Sequence, residues 1–229
     1  MSHHIAVLVS GSGTNLQAII DAQQSGQLPV RISVVLSNRQ DAYALERAKQ
    51  AGIPTVVVEH KAFPTREAFD EAMIQALAPY PIDTLVLAGF MRILTPVFVN
   101  HFHGRLLNVH PSLLPRYRGL NTHQRALDNH DEVHGCSIHF VSDELDGGPL
   151  VAQAQVPVLA SDSAATLAER VHKSEHLLYP KVLYWRATHA LMLTNEGVTL
   201  NGELLPSTGV TFAYMESPHQ LEPMPASAS

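Results

Sequence analysis

The chain of 229 residues has one cysteine, Cys136, and one tryptophan. A single thiol can form neither an internal disulfide nor a Cys-x-x-Cys metal clamp, so a reducing cytoplasm is the compartment expected and a disulfide-stapled secreted fold is excluded. Cys136 lies in the apolar run CSIHFV and reads as an inert buried thiol rather than a nucleophile. Charge is scarce as well. Only 16% of residues are charged and the formal net charge is -6, which argues against nucleic acid as the main partner, because a phosphate backbone demands a basic face. A local basic pocket for one small phosphate is compatible with this balance. No apolar run approaches the ~20 residues that span a bilayer, and the N-terminus enters the strand-like IAVLVS without the charged n-region of a secretory signal. The histidines show no H-E-x-x-H spacing and no cysteine pair exists, so no metal site is expected. His3 and His4 read as solvated residues ahead of the first strand.

What is present is an apolar content of 45%, enough for a full core, arranged as alternating strands and helices. Strands are expected over 4–10, 30–37, 54–59 and 82–88, and helices open after 13 and span 41–50, 64–78 and 96–102. The third helix has Ala68, Phe69, Met73 and Leu77 on one stripe. A fifth strand ends at His110. A short helix over 122–129, strands over 135–141 and 150–156, and a long helix over 163–187 follow, with Ser161 or Ser163 as its cap and Pro180 expected to bend or break it. Such alternation means βαβ units, hence an α/β fold with a doubly wound, mostly parallel sheet, C-terminal strands and a long helix. Residues 1–204 read as one domain, and 205–229, rich in Pro, Ser and Ala, as a partly disordered tail.

Ligands of doubly wound sheets bind outside the carboxyl ends of the strands, which brings the segments after strands to the fore. SGSGTN at 10–15 opens a helix, where backbone N–H groups and the helix dipole favour an anion. Leu16 stands at the third glycine of G-x-G-x-x-G, and Ser37-Asn38-Arg39 offers no acid at the end of the second strand, so a phosphate monoester suits the loop better than a dinucleotide. A plain helix cap would use the same residue types. Gly89 to Leu94 sets apolar groups around Arg92, either as a wall for a flat, partly polar ligand or as a packed connection with Arg92 in an ion pair.

The stretch RLLNVHPSLLPRYRG at 105–119 organises the rest. Asn108 and His110 alternate with Leu107 and Val109 and so share one strand face, about 7 Å apart. Pro111 ends the strand. A carboxamide that can donate to a developing oxyanion, beside an imidazole that can move a proton, suits acyl transfer. A hydrogen-bonded pair closing a loop is the plainer alternative. DELDGG at 143–148 is acidic and glycine-rich. Gly147 and Gly148 permit backbone geometry closed to other residues, and Asp146 could orient His110, unless the segment is a solvated acidic hairpin.

Together SGSGTNLQAII at 10–20, LAGFMRIL at 87–94, LLNVHPSLLPRYRG at 106–119 and DELDGGP at 143–149 resemble the phosphoribosylglycinamide formyltransferases, the folate-dependent enzymes of purine synthesis. The likeness runs from the first strand to about residue 187. It implies a Rossmann-like formyltransferase fold and transfer of a formyl group from 10-formyltetrahydrofolate to the amino group of N1-(5-phospho-D-ribosyl)glycinamide, by a cytoplasmic monomer or homodimer with no metal, nucleic-acid or membrane partner. Carried over residue by residue, it implies a catalytic trio of Asn108, His110 and Asp146. Gly13, Thr14 and Asn15 would hold the substrate phosphate and Glu175 its ribose. Arg66, Met91, Arg92, Ile93, Leu94, Val141 and Asp143, with Asn108, would line the folate pocket. Arg118 and Asn121 depart from the proline and histidine of other members. Formyltetrahydrofolate deformylases share the trio but carry an N-terminal regulatory domain, which is not expected in a chain read as starting at its first strand. Methionyl-tRNA formyltransferases share the look of PRYRG but would need a further RNA-binding domain and a basic surface.

Overall fold

A computed structural model describes residues 2–225. They divide into two compact units. The first runs to Asn108 and takes in Val141–Asp143; the second holds Val109–Phe140 and the described residues from Glu144 on.

The first unit is a parallel sheet. Strands β1 (His3–Val9), β2 (Val30–Ser37), β3 (Thr55–Val57), β4 (Thr84–Leu87) and the start of β5 (Leu106–His110) lie in the order β3-β2-β1-β4-β5, every adjacent pair parallel. Helices α1 (Thr14–Gln24), α2 (Tyr43–Gln50), α3 (Arg66–Leu77) and α4 (Pro96–His101) connect them. Strand order reverses at β1, so the carboxyl ends of β1 and β4 are neighbours and form the switch point where ligands of such sheets sit. Continuous apolar strands follow from cover on both faces: Ile5 to Val9 are wholly buried. Two expectations change here. His3 is not solvated: it begins β1 opposite Val30, is buried, and its Nε2 lies 3.0 Å from Thr84 Oγ1. The third helix starts at Arg66 rather than Pro64, because Thr65 Oγ1 accepts the Ala68 N–H at 3.1 Å and caps it.

The second unit continues from the end of β5 through α5 (Thr122–Asp128) to an antiparallel pair, β6 (Val133–Phe140) and β7 (Leu150–Pro157). Helix α6 (Ala164–Ala187) packs on both and opens with a reciprocal Ser163/Thr166 capping box. Pro180 does not break it. The ring lacks one N–H, but Leu178, Tyr179, Val182 and Leu183 around it are fully buried, and the helix continues past it to Ala187. A small sheet of β8 (Leu191–Thr194), β9 (Gly197–Leu200) and β10 (Glu203–Leu204), unforeseen in the sequence, follows. The chain beyond Leu205, expected as a tail, supplies two more strands. β11 (Val210–Met215) runs parallel to β7, and β12 (Gln220–Pro223) pairs back on it. Gly209 makes this docking possible: at φ +67° it lies where a Cβ would stand 2.3 Å from the Val151 carbonyl oxygen. Phe212 is buried and stacks on Trp185 at 6.3 Å. Residues 226–229 lie outside the described residues.

Since a buried Phe-to-Ala change costs about 3–5 kcal/mol, Phe212→Ala is expected to lower the urea midpoint markedly. An unchanged midpoint would show that the C-terminal strands contribute nothing to the fold.

Candidate active site

In the first unit the chain leaves β1 through Ser10–Gly13 and enters α1. Gly13 turns it at φ +72°, and a Cβ there would fall 2.5 Å from the Ala44 Cβ, so glycine alone lets α1 start this close to α2. The Gly11 carbonyl accepts the Ala44 N–H at 3.0 Å and the Ser12 carbonyl accepts Arg47 Nε at 2.7 Å. Two of the loop's carbonyls are thereby committed to α2, and that of Gly13 accepts the Gln17 N–H within α1 at 2.9 Å. The N-terminus of α1 has no side-chain cap, and the positive end of the helix dipole at its first turn, which begins with Thr14 and Asn15, suits an anion. Beyond β4, the Met91 N–H donates to Ser10 Oγ at 2.8 Å, and Ser10 Oγ donates to Asn38 Oδ1 at 2.6 Å. Four residues on, the Thr95 N–H and hydroxyl both donate to Asp70 Oδ2, at 2.6 and 2.7 Å. Burial holds the Asp70 carboxyl above the usual carboxylate range, its Thr95 hydrogen bonds opposing. Pinned at both ends, the segment presents Met91 and Ile93 67% and 55% exposed beside half-buried Arg92 and Leu94. Arg66 is exposed in the first turn of α3, and the Val141 N–H donates to the Leu106 carbonyl at 2.9 Å. Asp143 is exposed.

In the second unit β5 ends on His110. Its Nε2 lies 2.9 Å from the Tyr117 carbonyl oxygen. A carbonyl only accepts, so this contact places a proton on Nε2 and turns Nδ1 toward Asp146 Oδ2, 3.5 Å away. The same carboxylate oxygen accepts the Gly119 N–H at 2.9 Å. The two side chains are only 8% and 9% exposed. The special backbone geometry of DELDGG falls on Asp146 itself, at φ +49°, and not on Gly147 or Gly148 as expected. Aspartate tolerates the left-handed region better than most residues, and such strain concentrates at functional positions. Gly147 serves another purpose: a Cβ there would meet the Glu144 side chain at 2.5 Å, and Glu144 lies across it to pair with Arg118. Asp146 and Arg118 also line a cleft of about 480 Å³ with Leu114, Pro149 and Leu205. Glu175 is buried on α6.

Histidines that look scattered in the sequence assemble here. His123 Nδ1 is 3.1 Å from His134 Nε2, the His172 ring centre is 6.4 Å from that of His123, and Tyr117 meets His134 edge-on. Burial, then the neighbouring His172 and His110, pushes His123 down to about 4. Burial, then His123, does the same to His134, also to about 4, with Asp131 opposing. His139, buried on β6, is lowered chiefly by burial. Cys136 is buried, and burial pushes its thiol up, as befits an inert residue.

The sequence profile described as formyl transferase matches residues 3–183. The chain belongs to the formyl transferase family. Phosphoribosylglycinamide formyltransferase of Escherichia coli K12 is 52% identical over 206 residues, covering 90% of this chain and 97% of that protein. The human trifunctional purine biosynthetic protein adenosine-3 is 43% identical over 193 residues, 84% of this chain and 19% of that much longer protein. Among solved structures, phosphoribosylglycinamide formyltransferase from Coxiella burnetii superposes with a TM-score of 0.88 at 48% identity, covering 92% of this chain and 99% of that one. The formyl transferase match contains every candidate residue from Gly13 to Glu175 and stops before β8. Within each unit the motifs fall as the sequence places them. SGSGTN and the Met91 segment sit at neighbouring strand ends of the first unit, and His110 and Asp146 meet in the second. What the sequence does not reveal is the histidine cluster, and the polar side chains Ser112, Ser137 and Gln153 behind His110.

His123 and His134 titrate at about 4 in the fold against an ordinary 6.5. Between these values the unfolded chain binds protons that the fold refuses, so stability is fully present above about pH 6.5 and falls as the pH drops toward 4. Urea midpoints measured across this window should decline with acid, and His134→Leu should flatten the decline. An identical slope in that variant would exclude the pair as its source.

Proposed function

We propose that the chain transfers a formyl group from 10-formyltetrahydrofolate to the amino group of N1-(5-phospho-D-ribosyl)glycinamide, giving the N-formyl product and tetrahydrofolate in purine synthesis. The observation that carries the proposal is the buried His110–Asp146 pair, at the end of a strand that also bears Asn108, in a formyl transferase chain. The first turn of α1 at Gly13, Thr14 and Asn15 suits the substrate phosphate, and Glu175 its ribose. Exposed Met91 and Ile93 around Arg92 suit a flat, partly polar ring, and Leu94, Arg66, Val141 and Asp143 are assigned to the same folate pocket. One buried, unpaired thiol fits a reducing cytoplasm.

The chemistry follows from the residue types. The substrate amine attacks the formyl carbon, and the carbonyl oxygen gains negative charge. The Asn108 carboxamide donates a hydrogen bond to that oxygen. His110 carries the proton lost by the amine, and Asp146 holds the imidazole in register and shares that proton. The folate nitrogen leaves with a proton, so the exchange balances. Water must stay out, since it would attack the same carbon. Segment 115–119 is tied over Asp146 by the Gly119 N–H and the Arg118–Glu144 pair, which makes it the natural cover.

Mixing the protein with formyl-folate and the ribonucleotide should release tetrahydrofolate only when both are present, read by absorbance. Formyl loss without the ribonucleotide would make the chain a hydrolase instead. Asn108→Ala should lower kcat on the order of 10²-fold, the usual loss for one oxyanion donor. Near-normal turnover would remove Asn108 from that role.

A further inference from the structure

Behind His110 lies a set of buried side chains that the proposed chemistry does not use. Ser137 on β6 and Gln153 on β7 are register partners in the antiparallel pair, and both are buried. Gln153 Nε2 donates to Ser137 Oγ at 2.9 Å and to the Leu114 carbonyl at 2.8 Å. Ser137 Oγ donates to the Ser112 carbonyl at 2.6 Å and accepts the Leu114 N–H at 3.0 Å. Ser112, itself buried, donates from Oγ to the Arg116 carbonyl at 2.6 Å, with the Tyr117 carbonyl at 3.3 Å. Its N–H donates to the His110 carbonyl at 2.9 Å. The bonds thus run from the middle of the β6–β7 pair, through the backbone at 112–114, to the carbonyl that receives the His110 Nε2 proton.

We infer that Ser112, Ser137 and Gln153 are positioning residues for His110, which fix the Tyr117 carbonyl so that the ring keeps its proton on Nε2 and turns Nδ1 to Asp146. The ring has two nitrogens, and the partner of one decides the work of the other. With Nε2 committed to a fixed carbonyl, proton exchange is confined to Nδ1, on the carboxylate side. A loosened Tyr117 carbonyl would let the ring rotate or change tautomer, and a misaligned imidazole loses rate more than binding. The effect on turnover rests on the formyl-transfer proposal; the effect on the ring does not.

The test is a long-range 1H–15N spectrum of the full chain labelled at histidine nitrogens, with His110 assigned by its loss in His110→Gln. At alkaline pH, where imidazoles are neutral, wild-type His110 should be the Nε2–H tautomer. Ser137→Ala and Gln153→Met should show Nδ1–H or mixed signals. Their kcat should fall at least about tenfold, with KM for both substrates within roughly twofold of wild type. A purely structural role would lower the melting temperature and leave the tautomer alone, and that result overturns the inference. So does wild-type His110 as Nδ1–H, a measurement that needs no variant to fold, and so does an altered tautomer with kcat within roughly twofold. An Nε2–H ring in a wild-type protein without formyl-transfer activity would sink the functional proposal alone.

Discussion

One carboxylate oxygen governs the candidate site. Asp146 Oδ2 takes the Gly119 N–H at 2.9 Å and faces His110 Nδ1 at 3.5 Å. A carboxylate so far from water needs hydrogen-bond partners, because an unmet one is among the costliest groups to bury. Meeting that need recruits two segments at once: residues 117–119 must lie over the loop that carries Asp146, and the imidazole must turn one chosen nitrogen toward it. The left-handed backbone at Asp146 aims the side chain, and the Arg118–Glu144 pair reinforces the same approach from the surface. That pair is solvent-exposed, so its own contribution is small and screened by salt. Orientation comes from the buried contacts.

The first unit is set a different problem under the proposed function, anion and ring binding, and meets it with the parallel sheet's ordinary resources. Reversal of strand order at β1 brings the loop at 10–13 beside the segment after β4, and the Met91–Ser10–Asn38 hydrogen bonds tie three strand ends together. Rigid strand ends can therefore present exposed apolar side chains that would otherwise collapse onto the core. Asp70 does the equivalent at the far end of the segment, anchoring Thr95 from α3.

Much of this was legible in the sequence because its signals are local. The glycine turn, the strand that ends at Pro111 and the acidic DELDGG loop each state their geometry within a few residues, and the parallel architecture follows from alternation. The parts that escaped depend on long-range register. Ser137 meets Gln153 only because β6 and β7 pair antiparallel, with a shift between Ile138 and His139 that no residue pattern announces. His123, His134 and His172 come from a short helix, a strand and a long helix, and their spacing matches no motif. β11 was obscured because VTFAYM, a good strand by composition, sits among Pro and Ser and gains its place only from the β7 edge and the contact with Trp185. Gly147 misled for the opposite reason: glycine marks either positive φ or close approach, and here the second applies.

The polar set behind His110 raises the question of why a buried position should not be filled with leucine or valine. For stability alone, apolar residues of the same shape can be nearly neutral replacements for a satisfied hydrogen bond. They are not equivalent in what they specify. Apolar packing is tolerant of small shifts, whereas a hydroxyl at 2.6 Å from one carbonyl and 3.0 Å from one N–H accepts little displacement. A loop that must hold a carbonyl against one nitrogen of an imidazole with the proposed role of His110 needs that intolerance. Ser137 and Gln153 face each other in the in-register stretch of the β6–β7 pair, ahead of its shift at Ile138/His139, so the geometry of the ladder is passed to a loop that has none of its own. On this view stability and rate are set by separate features of the same region: apolar burial around β6, β7 and α6 secures the fold, and a few short polar contacts decide which face of one ring does the work.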